Sequence, residues 1–291
     1  MTEEVRQALR ICPLGLRQAI DRLPDAGAME ELRLRCGQPP ACRIAGKERA
    51  LPLAPVTPEL LRGILEQATQ RSAYAMQEMT RCGFVTLPGG HRLGICGTAV
   101  VQNGTITALR EPSSLNLRIA RQPDGIADRL RDALWARPQS VLLCGAPGSG
   151  KTTLLRDLIR QLSDRFGWRI CVVDERLELA ACASGVPQFR LGARTDVLSG
   201  APKAAGIELL LRTMNPEWIA VDEITAEVDI AAIRRASYCG VRFLATAHAA
   251  DRRELESRPL YRALLQDGFF RMAAFLLPDR SVRIERGLDH A

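Results

Sequence analysis

The sequence predicts an α/β protein whose larger domain has a mostly parallel sheet and follows a smaller α+β domain. Buried apolar strands alternate with helices after about residue 125, which is typical of a parallel sheet. Before that point helices are mixed with a meander of strands broken at PGG and NG. The predicted domains are therefore 1–125 and 126–291.

The first domain contains helices and a meander of strands. Helical spacing of apolar residues predicts helices in TEEVRQALRICP and GLRQAIDRLP, and Thr57 is placed to cap a third helix in TPELLRGILEQATQ. MEELRLRCGQPPACRIAG alternates leucine with arginine, which predicts a half-buried strand and a turn. FVTLPGGHRLGICGTAVVQNGTITALR predicts strands broken at PGG and NG, and SSLNLRIAR a last strand before a QPDG linker.

The second domain alternates helix and strand. Four helices are predicted in IADRLRDALWA, KTTLLRDLIRQLSDRF, AAGIELLLRTM and AEVDIAAIRRASY. Four strands are predicted in SVLLC, RICVVD, EWIAVDE and VRFLATA. The near-continuous apolar character of these strands predicts that both faces of the sheet are covered.

Composition limits the class of protein. Hydrophobic residues make up 46% and charged residues 25%, as in an ordinary globular protein. The nine cysteines form no CxxC pair, which predicts buried thiols in a reducing cytosol. The start MTEEVRQALRICPLG lacks the charged and apolar regions of a signal peptide, and no apolar run has the length of a membrane span. We expect a cytoplasmic protein whose membrane contact is peripheral.

The net charge of +7 is dispersed, without a polybasic block. A mildly positive field could favour anionic membranes or nucleic acid, but a generally arginine-rich composition is the simpler explanation. Aromatic residues make up only 4%, so stacking platforms for single-stranded nucleic acid are scarce. We expect no stable complex with nucleic acid.

A glycine-rich loop carries the most specific motif. The segment from Gly145 to Thr152 matches G-x-x-x-x-G-K-[ST], follows a strand and opens a helix, as a P-loop requires. Its backbone N–H groups and the positive helix end favour phosphate. We expect ATP with Mg²⁺, with Lys151 at the β- and γ-phosphates and Thr152 on the metal. The predicted nucleotide-binding residues are Gly145, Ala146, Pro147, Gly148, Ser149, Gly150, Lys151, Thr152 and Thr153.

An acidic pair, Asp222 and Glu223, ends the strand EWIAVDE. In a P-loop domain an acid at this position holds Mg²⁺ through its water shell, which we predict for Asp222. Glu223 is then the natural group to orient or deprotonate an attacking water.

Two further strand ends carry candidate residues. In VVDERLELA, Glu175 and Glu178 could add carboxylates near the metal, or could be solvated acids at a capped helix start. In VRFLATAHAAD, His248 could sense the γ-phosphate, although a lone histidine at a strand end is more often structural.

The order of phosphate loop, VVDERLE, VDE and TAH resembles the ATPases of type II and type IV secretion systems. Those proteins are AAA+/RecA-like P-loop enzymes with a Walker A loop, an aspartate box, a Walker B strand ending in glutamate and a histidine box. Their Walker B usually reads glycine-glutamate where this chain has Asp222 and Glu223. Glu223 is therefore the position to which the resemblance extends.

A more specific resemblance, to the stage III sporulation protein AA family, covers most of the chain. Its strings include EELRLRCGQP, GGHRLGICG, SSLNLRIAR, GAPGSGKTTLLRDL, VVDERLELA, RTDVLSG, PKAAGIELLLRTMNPE, AVDEI and ATAH. The resemblance implies a hexameric ring that hydrolyses ATP to ADP and phosphate in the mother cell of an endospore-forming bacterium. It also implies that the ring serves a secretion-like channel of membrane-embedded proteins facing the forespore.

The resemblance further implies arginines that approach the phosphates of the same or a neighbouring subunit. The candidates are Arg118 and Arg121 in SSLNLRIAR and Arg194 in GARTDV. Such an arginine would neutralise transition-state charge and couple hydrolysis to ring geometry. Each of the three is also an ordinary candidate for the surface of an arginine-rich chain.

Three other interpretations compete. LSGAP imitates the signature loop of an ABC cassette, but the short stretch between Lys151 and Asp222 leaves little room for the cassette's helical subdomain. A nucleic-acid-associated P-loop ATPase remains the main alternative, because plastid and cyanobacterial relatives of this ATPase carry a single-strand-binding domain. A nucleotide-gated ring with little turnover is the third, and predicts that Glu223→Gln leaves function intact.

Overall fold

The computed structural model describes residues 1–69 and 83–288. The chain divides into two compact units. Unit 1 comprises Met1–Arg121 and Cys182–Gln188, and unit 2 comprises Gln122–Ala181 and Phe189–Ala291. Assignment of the short segment Cys182–Gln188 to unit 1 was not anticipated by the sequence analysis.

Unit 1 contains an antiparallel sheet and helices. The helices are α1 Glu3–Ala8, α2 Leu14–Asp21 and α3 Pro58–Thr69. The strands are β1 Met29–Arg35, β2 Ala41–Ile44, β3 Lys47–Ala50, β4 Phe84–Thr86, β5 Arg92–Gln102 and β6 Thr105–Arg118. They are ordered β3-β2-β1-β6-β5-β4, and every neighbouring pair is antiparallel.

The sequence pattern of unit 1 explains most of this arrangement. Leu32 and Leu34 of β1 point into the core, and the arginines between and after them do not. The hydroxyl of Thr57 accepts the N–H of Leu60 at 3.2 Å, which confirms the predicted cap of α3. The strand predicted in SSLNLRIAR is the end of a longer one, since β6 begins at Thr105 and ends at Arg118 within this segment. Glu111, with φ 46°, lies in that strand where its register with β5 shifts.

Unit 2 contains the larger sheet. Its strands are β7 Ser140–Cys144, β8 Ile170–Asp174, β9 Thr195–Ser199, β10 Trp218–Val221, β11 Arg242–Ala247, β12 Phe270–Leu276 and β13 Val282–Arg286. Its helices are α4 Asp128–Ala136, α5 Lys151–Phe166, α6 Lys203–Thr213, α7 Glu227–Tyr238, α8 Arg252–Ser257 and α9 Pro259–Gln266. The strand order is β13-β12-β7-β11-β10-β8-β9, and all pairs are parallel except β12 with β13. The predicted α/β fold with a mostly parallel sheet is confirmed.

The central strands of unit 2 have clear apolar sequence patterns because they are buried. Every residue of β7, β8 and β10 is buried, as expected where helices cover both faces of a sheet. The half-exposed strand β9 and the elements after residue 251 were not predicted. Across the described ranges, no helix combines the length and apolarity that crossing a bilayer requires.

Candidate functional site

The sheet topology of unit 2 brings the predicted segments to one edge. The strands β7, β11, β10 and β8 are adjacent and parallel, so their carboxyl ends meet there. The glycine-rich loop follows Cys144, and His248 follows β11. The acidic pair follows Val221, and Glu175 follows β8. Segments far apart in sequence therefore form one candidate site.

The glycine-rich loop needs its glycines. Gly148 and Gly150 have φ angles of 73° and 102°, in the left-handed region that favours glycine. A Cβ on Gly145 would lie 2.6 Å from the hydroxyl oxygen of Ser149, so a side chain at this position would displace that hydroxyl. Lys151 begins α5 directly after the loop, which places the positive end of the helix there.

Lys151 is nearly buried, with 5% of its surface exposed. Its ammonium donates to the carbonyl oxygens of Gly145 and Ala146, both at 3.0 Å, and lies 3.1 Å from Nδ1 of His248. Burial lowers the pKa of Lys151, while the charges of Glu223 and Asp222 oppose that shift. The ammonium is thus held among acceptors at the base of the loop.

His248 links this lysine to the acidic pair. An ammonium can only donate, so Nδ1 of His248 must be the acceptor in its contact with Lys151. The ring proton of the neutral imidazole is then on Nε2, which lies 2.7 Å from Oε1 of Glu223 and donates to it. Lys151, His248 and Glu223 therefore form one hydrogen-bonded path.

Asp222 lies beside the first turn of α5. Thr152 Oγ1 donates to its Oδ2 at 3.0 Å, and Thr246 Oγ1 donates to its Oδ1 at 2.5 Å. The Thr246 hydroxyl also accepts the backbone N–H of Glu223 at 2.8 Å. Burial raises the pKa of Asp222, and the two hydroxyl donors oppose that shift. The two residues predicted to hold the metal are therefore in direct contact.

Glu223 has an unusual backbone and a second ionic partner. Its φ of 46° is in the left-handed region, which costs a residue with a side chain about 1–3 kcal/mol. Its Oε2 is paired with the guanidinium of Arg176, which lies inside the VVDERLELA segment. Arg176 is not among the site residues predicted from the sequence, although the acids on either side of it, Glu175 and Glu178, are.

The VVDERLELA segment forms a tight loop after β8. The carboxylate of buried Asp174 accepts the backbone N–H groups of Glu178, Leu179 and Ala180 at 2.7, 3.0 and 2.8 Å. Arg156 of α5 donates to the carbonyl oxygens of Glu178 and Leu179, both at 2.9 Å. These contacts fix the loop, which we call the acidic loop (174–180), against the helix that follows the P-loop.

The predicted acids of this loop have different surroundings. Glu175 is paired with the ammonium of buried Lys203, which also lies 3.9 Å from Asp229. Glu178 is close enough to Asp222 for its charge to contribute to the raised pKa of that carboxyl. In residues 1–69 and 83–288, no group of three or more His, Cys, Asp and Glu side chains forms a metal cluster.

The candidate arginines lie in both units. In unit 1, Arg118 is 4.0 Å from the carboxylate of Glu31, and Arg121 donates to the carbonyl oxygens of Gly27 and Met29. In unit 2, Arg194 donates to the carbonyl oxygen of Gly167 at the carboxyl end of α5. The described contacts of these three arginines are thus with their own units.

Sequence comparisons identify relatives over most of the chain. Residues 2–283 match the family model described as sporulation stage III, protein AA. The chain is 35% identical over 273 residues to stage III sporulation protein AA of Bacillus subtilis (strain 168), covering 91% of this chain and 89% of that protein. It is 27% identical over 254 residues to the uncharacterised protein ycf45 of Porphyra purpurea, covering 85% of this chain and 41% of that protein.

Structure comparisons find the same fold in an ATPase and in a pilus motor. The ATPase DotB of Legionella pneumophila is similar with a TM-score of 0.60 at 17% identity, over 94% of this chain and 80% of DotB. The pilus retraction motor PilT, solved with bound ADP, is similar with a TM-score of 0.62 at 19% identity, over 92% and 80%. At these identities the likeness concerns the fold, and the sequence match defines the family. The chain belongs to the sporulation stage III protein AA family and has the fold of these ATPases.

Proposed function

We propose that the protein is a Mg²⁺-dependent ATPase that hydrolyses ATP to ADP and phosphate. The observation that carries this proposal is the hydrogen-bonded path from Lys151 through His248 to Glu223, beside the contact between Thr152 and Asp222. The residues proposed as phosphate-binding cation, metal-binding pair and general base lie at one edge of the sheet, which supports the proposal.

The glycine-rich loop fits a nucleotide. Its left-handed glycines leave the backbone free of side chains, and among the described residues the buried hydroxyl of Ser149 has no hydrogen-bond partner. A cavity of about 310 Å³ adjoins the loop. It is lined by residues that include Ile126, Gly150, Thr153 and Leu276. A polar loop beside a partly apolar cavity suits a nucleotide, which has both phosphate groups and a nucleobase.

The neighbouring hydroxyl and carboxylate fit Mg²⁺, whose preferred ligands are oxygen atoms. Thr152 and Asp222 would hold the ion, as the corresponding residues do in P-loop proteins generally. When bound, Mg²⁺ supplies positive charge that neutralises the phosphate oxygens. Lys151 would bind phosphate oxygens with the ammonium that now contacts loop carbonyls.

Glu223 would take the proton of the attacking water. Its carboxylate lies at this edge of the sheet and is oriented by two donors. His248 contacts one oxygen of the carboxylate, and Arg176 is paired with the other. Because His248 also contacts Lys151, a change in the position of the lysine is transmitted to the base. His248 is therefore proposed to couple the state of the phosphates to Glu223.

At the level of assembly, we propose a hexameric ring that energises a channel between mother cell and forespore. Membership of a sporulation family and the fold shared with DotB and PilT support this proposal. The ring would work in the mother-cell cytoplasm, in peripheral contact with membrane-embedded channel proteins. Arg118, Arg121 and Arg194 are the candidates for an arginine acting on a neighbouring subunit's nucleotide, and Glu175 and Glu178 for additional support of the metal.

The test compares wild-type protein with Lys151→Ala and Glu223→Gln. Lys47→Ala is the matched control, because Lys47 lies in the exposed strand β3 of unit 1. Loss of phosphate release in the first two variants, with the control unchanged, supports the proposal. Equal rates in wild type and Lys151→Ala would refute it.

The same preparations test the assembly. Mass should be measured with and without ATP, and turnover should be followed against protein concentration. Activity that rises with assembly supports a ring with shared sites, whereas full activity as a monomer refutes the arginine in trans. Stimulation by single-stranded nucleic acid would favour the alternative of a nucleic-acid-associated ATPase.

A further inference from the structure

We propose that Arg176 is a positioning residue for Glu223, so that the acidic loop serves the reaction through its arginine. The proposal rests on the proposed ATP hydrolysis. Arg176 is paired with Oε2 of Glu223, while His248 is hydrogen-bonded to Oε1 of the same carboxylate at 2.7 Å. Two donors from two different strand ends therefore fix both oxygens of the proposed base.

The backbone that carries Arg176 is held from two sides. Asp174 accepts three backbone N–H groups of the acidic loop, and Arg156 donates to two of its carbonyl oxygens. The guanidinium of Arg156 also lies over the ring of Phe189, 3.7 Å from its centroid. A loop fixed in this way presents a long side chain at a defined place, which a mobile loop would not.

Two of the loop's own acids have partners other than Arg176. Glu175 is paired with Lys203, a lysine with only 5% of its surface exposed. Asp174 is used by the backbone of the loop. The carboxylate brought to Arg176 is instead that of Glu223, which is 47 residues away in sequence. The arrangement thus joins the end of β8 to the end of β10 through one ion pair.

Glu223 needs such support because its own backbone restricts it. The side chain of Glu223 extends from a backbone with a φ of 46°. A general base that is misplaced loses most of its effect on a proton transfer, so the position of this carboxylate matters. A guanidinium is always charged and holds carboxylates in a planar fork, so it fixes direction as well as charge. The side chain of Glu223 is only 18% exposed, against 52% for Arg176, so the guanidinium is the more solvent-exposed partner of the pair.

A residue that orients the base affects the chemical step and not the binding of nucleotide. We expect Arg176→Ala and Arg176→Gln to lower kcat by roughly 10- to 100-fold and to change KM by less than about twofold. Arg176→Lys keeps the charge without the fork and should recover part of the lost kcat. Arg253→Ala is the matched control, since Arg253 is an exposed residue of α8.

A double-mutant cycle distinguishes this role from a structural one. The kcat of wild type, Arg176→Gln, Glu223→Gln and the double variant is measured, with thermal unfolding of each. If Arg176 acts through Glu223, the double variant turns over no more slowly than Glu223→Gln. Additive losses, or a raised KM with unchanged kcat, would overturn the proposal.

Wild-type turnover and its loss in Lys151→Ala are recorded in the same series, which separates the two proposals. Turnover that depends on Lys151 but not on Arg176 overturns only the assignment of Arg176. Absence of turnover in wild type overturns both.

Discussion

The hydroxyl of Thr152 donates to Oδ2 of Asp222 across 3.0 Å. This contact joins the start of α5 to the end of β10, two elements that are separated in sequence by two strands and a helix. It places the two residues proposed to bind the metal side by side through a contact within the protein itself. Their proximity is thus a property of the fold. The first prediction concerns the removal of the Thr152 hydroxyl.

Thr152→Val should lower kcat by about 100-fold or more, because it removes a proposed metal ligand and leaves Asp222 without one of its donors. Thr152→Ser keeps the hydroxyl and should retain most activity. Phosphate release at several Mg²⁺ concentrations checks the prediction. A Thr152→Val variant with wild-type kcat at every concentration would contradict it.

Thr246→Val should destabilise the protein by about 1–3 kcal/mol. Thr246 is fully buried, and its hydroxyl serves both the carboxylate of Asp222 and the backbone N–H of Glu223. The isosteric valine removes the donor to Oδ1 of Asp222 and the acceptor of the Glu223 N–H. Urea unfolding measures the loss.

Thr213→Val is the control for that experiment. The hydroxyl of Thr213 bonds a carbonyl within its own helix and is exposed, so the change should remain within about 0.5 kcal/mol. Equal free energies of unfolding for the two valine variants would show that the buried hydroxyl of Thr246 does not matter for stability.

His91 should make the stability of unit 1 depend on pH. Burial lowers the pKa of His91 from 6.5 to about 4, an effect that Glu4 opposes, and its Nδ1 accepts the N–H of Ala120 at 3.0 Å. The unfolded chain therefore binds a proton at a higher pH than the folded chain does. This contribution to stability is complete above about pH 6.5 and is lost as the pH falls toward 4.

The loss should be roughly 3 kcal/mol at most, from the free-energy equivalent of a pKa difference. Amide hydrogen exchange in β5 at neutral pH and at pH 4.5 measures it for wild type and His91→Gln. Wild type should lose more protection than the variant on acidification. The same acid-induced change in both would exclude His91 as the cause.

Two helical glycines should respond oppositely to alanine. A Cβ on Gly206 of α6 would lie 2.5 Å from Cγ1 of Val173, so Gly206→Ala should destabilise unit 2 by about 1–3 kcal/mol. A Cβ on Gly63 of α3 meets nothing within 4 Å, so Gly63→Ala should stabilise unit 1 by about 0.5–1 kcal/mol. Urea midpoints check both, and a stabilising Gly206→Ala would mean that the contact with Val173 relaxes without cost.

The sequence predicted the parts of the fold whose patterns are local. β7, β8 and β10 are buried along their whole length, so their apolar runs are unmistakable, and the P-loop and acidic pair follow directly. β9, with its mixed burial, gave no such pattern. The pairing of Arg176 with Glu223 could not be predicted, because it depends on β8 and β10 being neighbours, which no local pattern encodes.

The order of strands also has a consequence for the timing of folding. β7 pairs with β11, about a hundred residues later in the chain, and β8 pairs with β10 across the intervening β9 and α6. Closing the long loop between two such strands costs conformational entropy before their contacts contribute stability, so non-local pairs form slowly. During synthesis the loop from Gly145 to Thr152 would therefore emerge long before His248, and it would acquire its partners only when β11 enters the sheet.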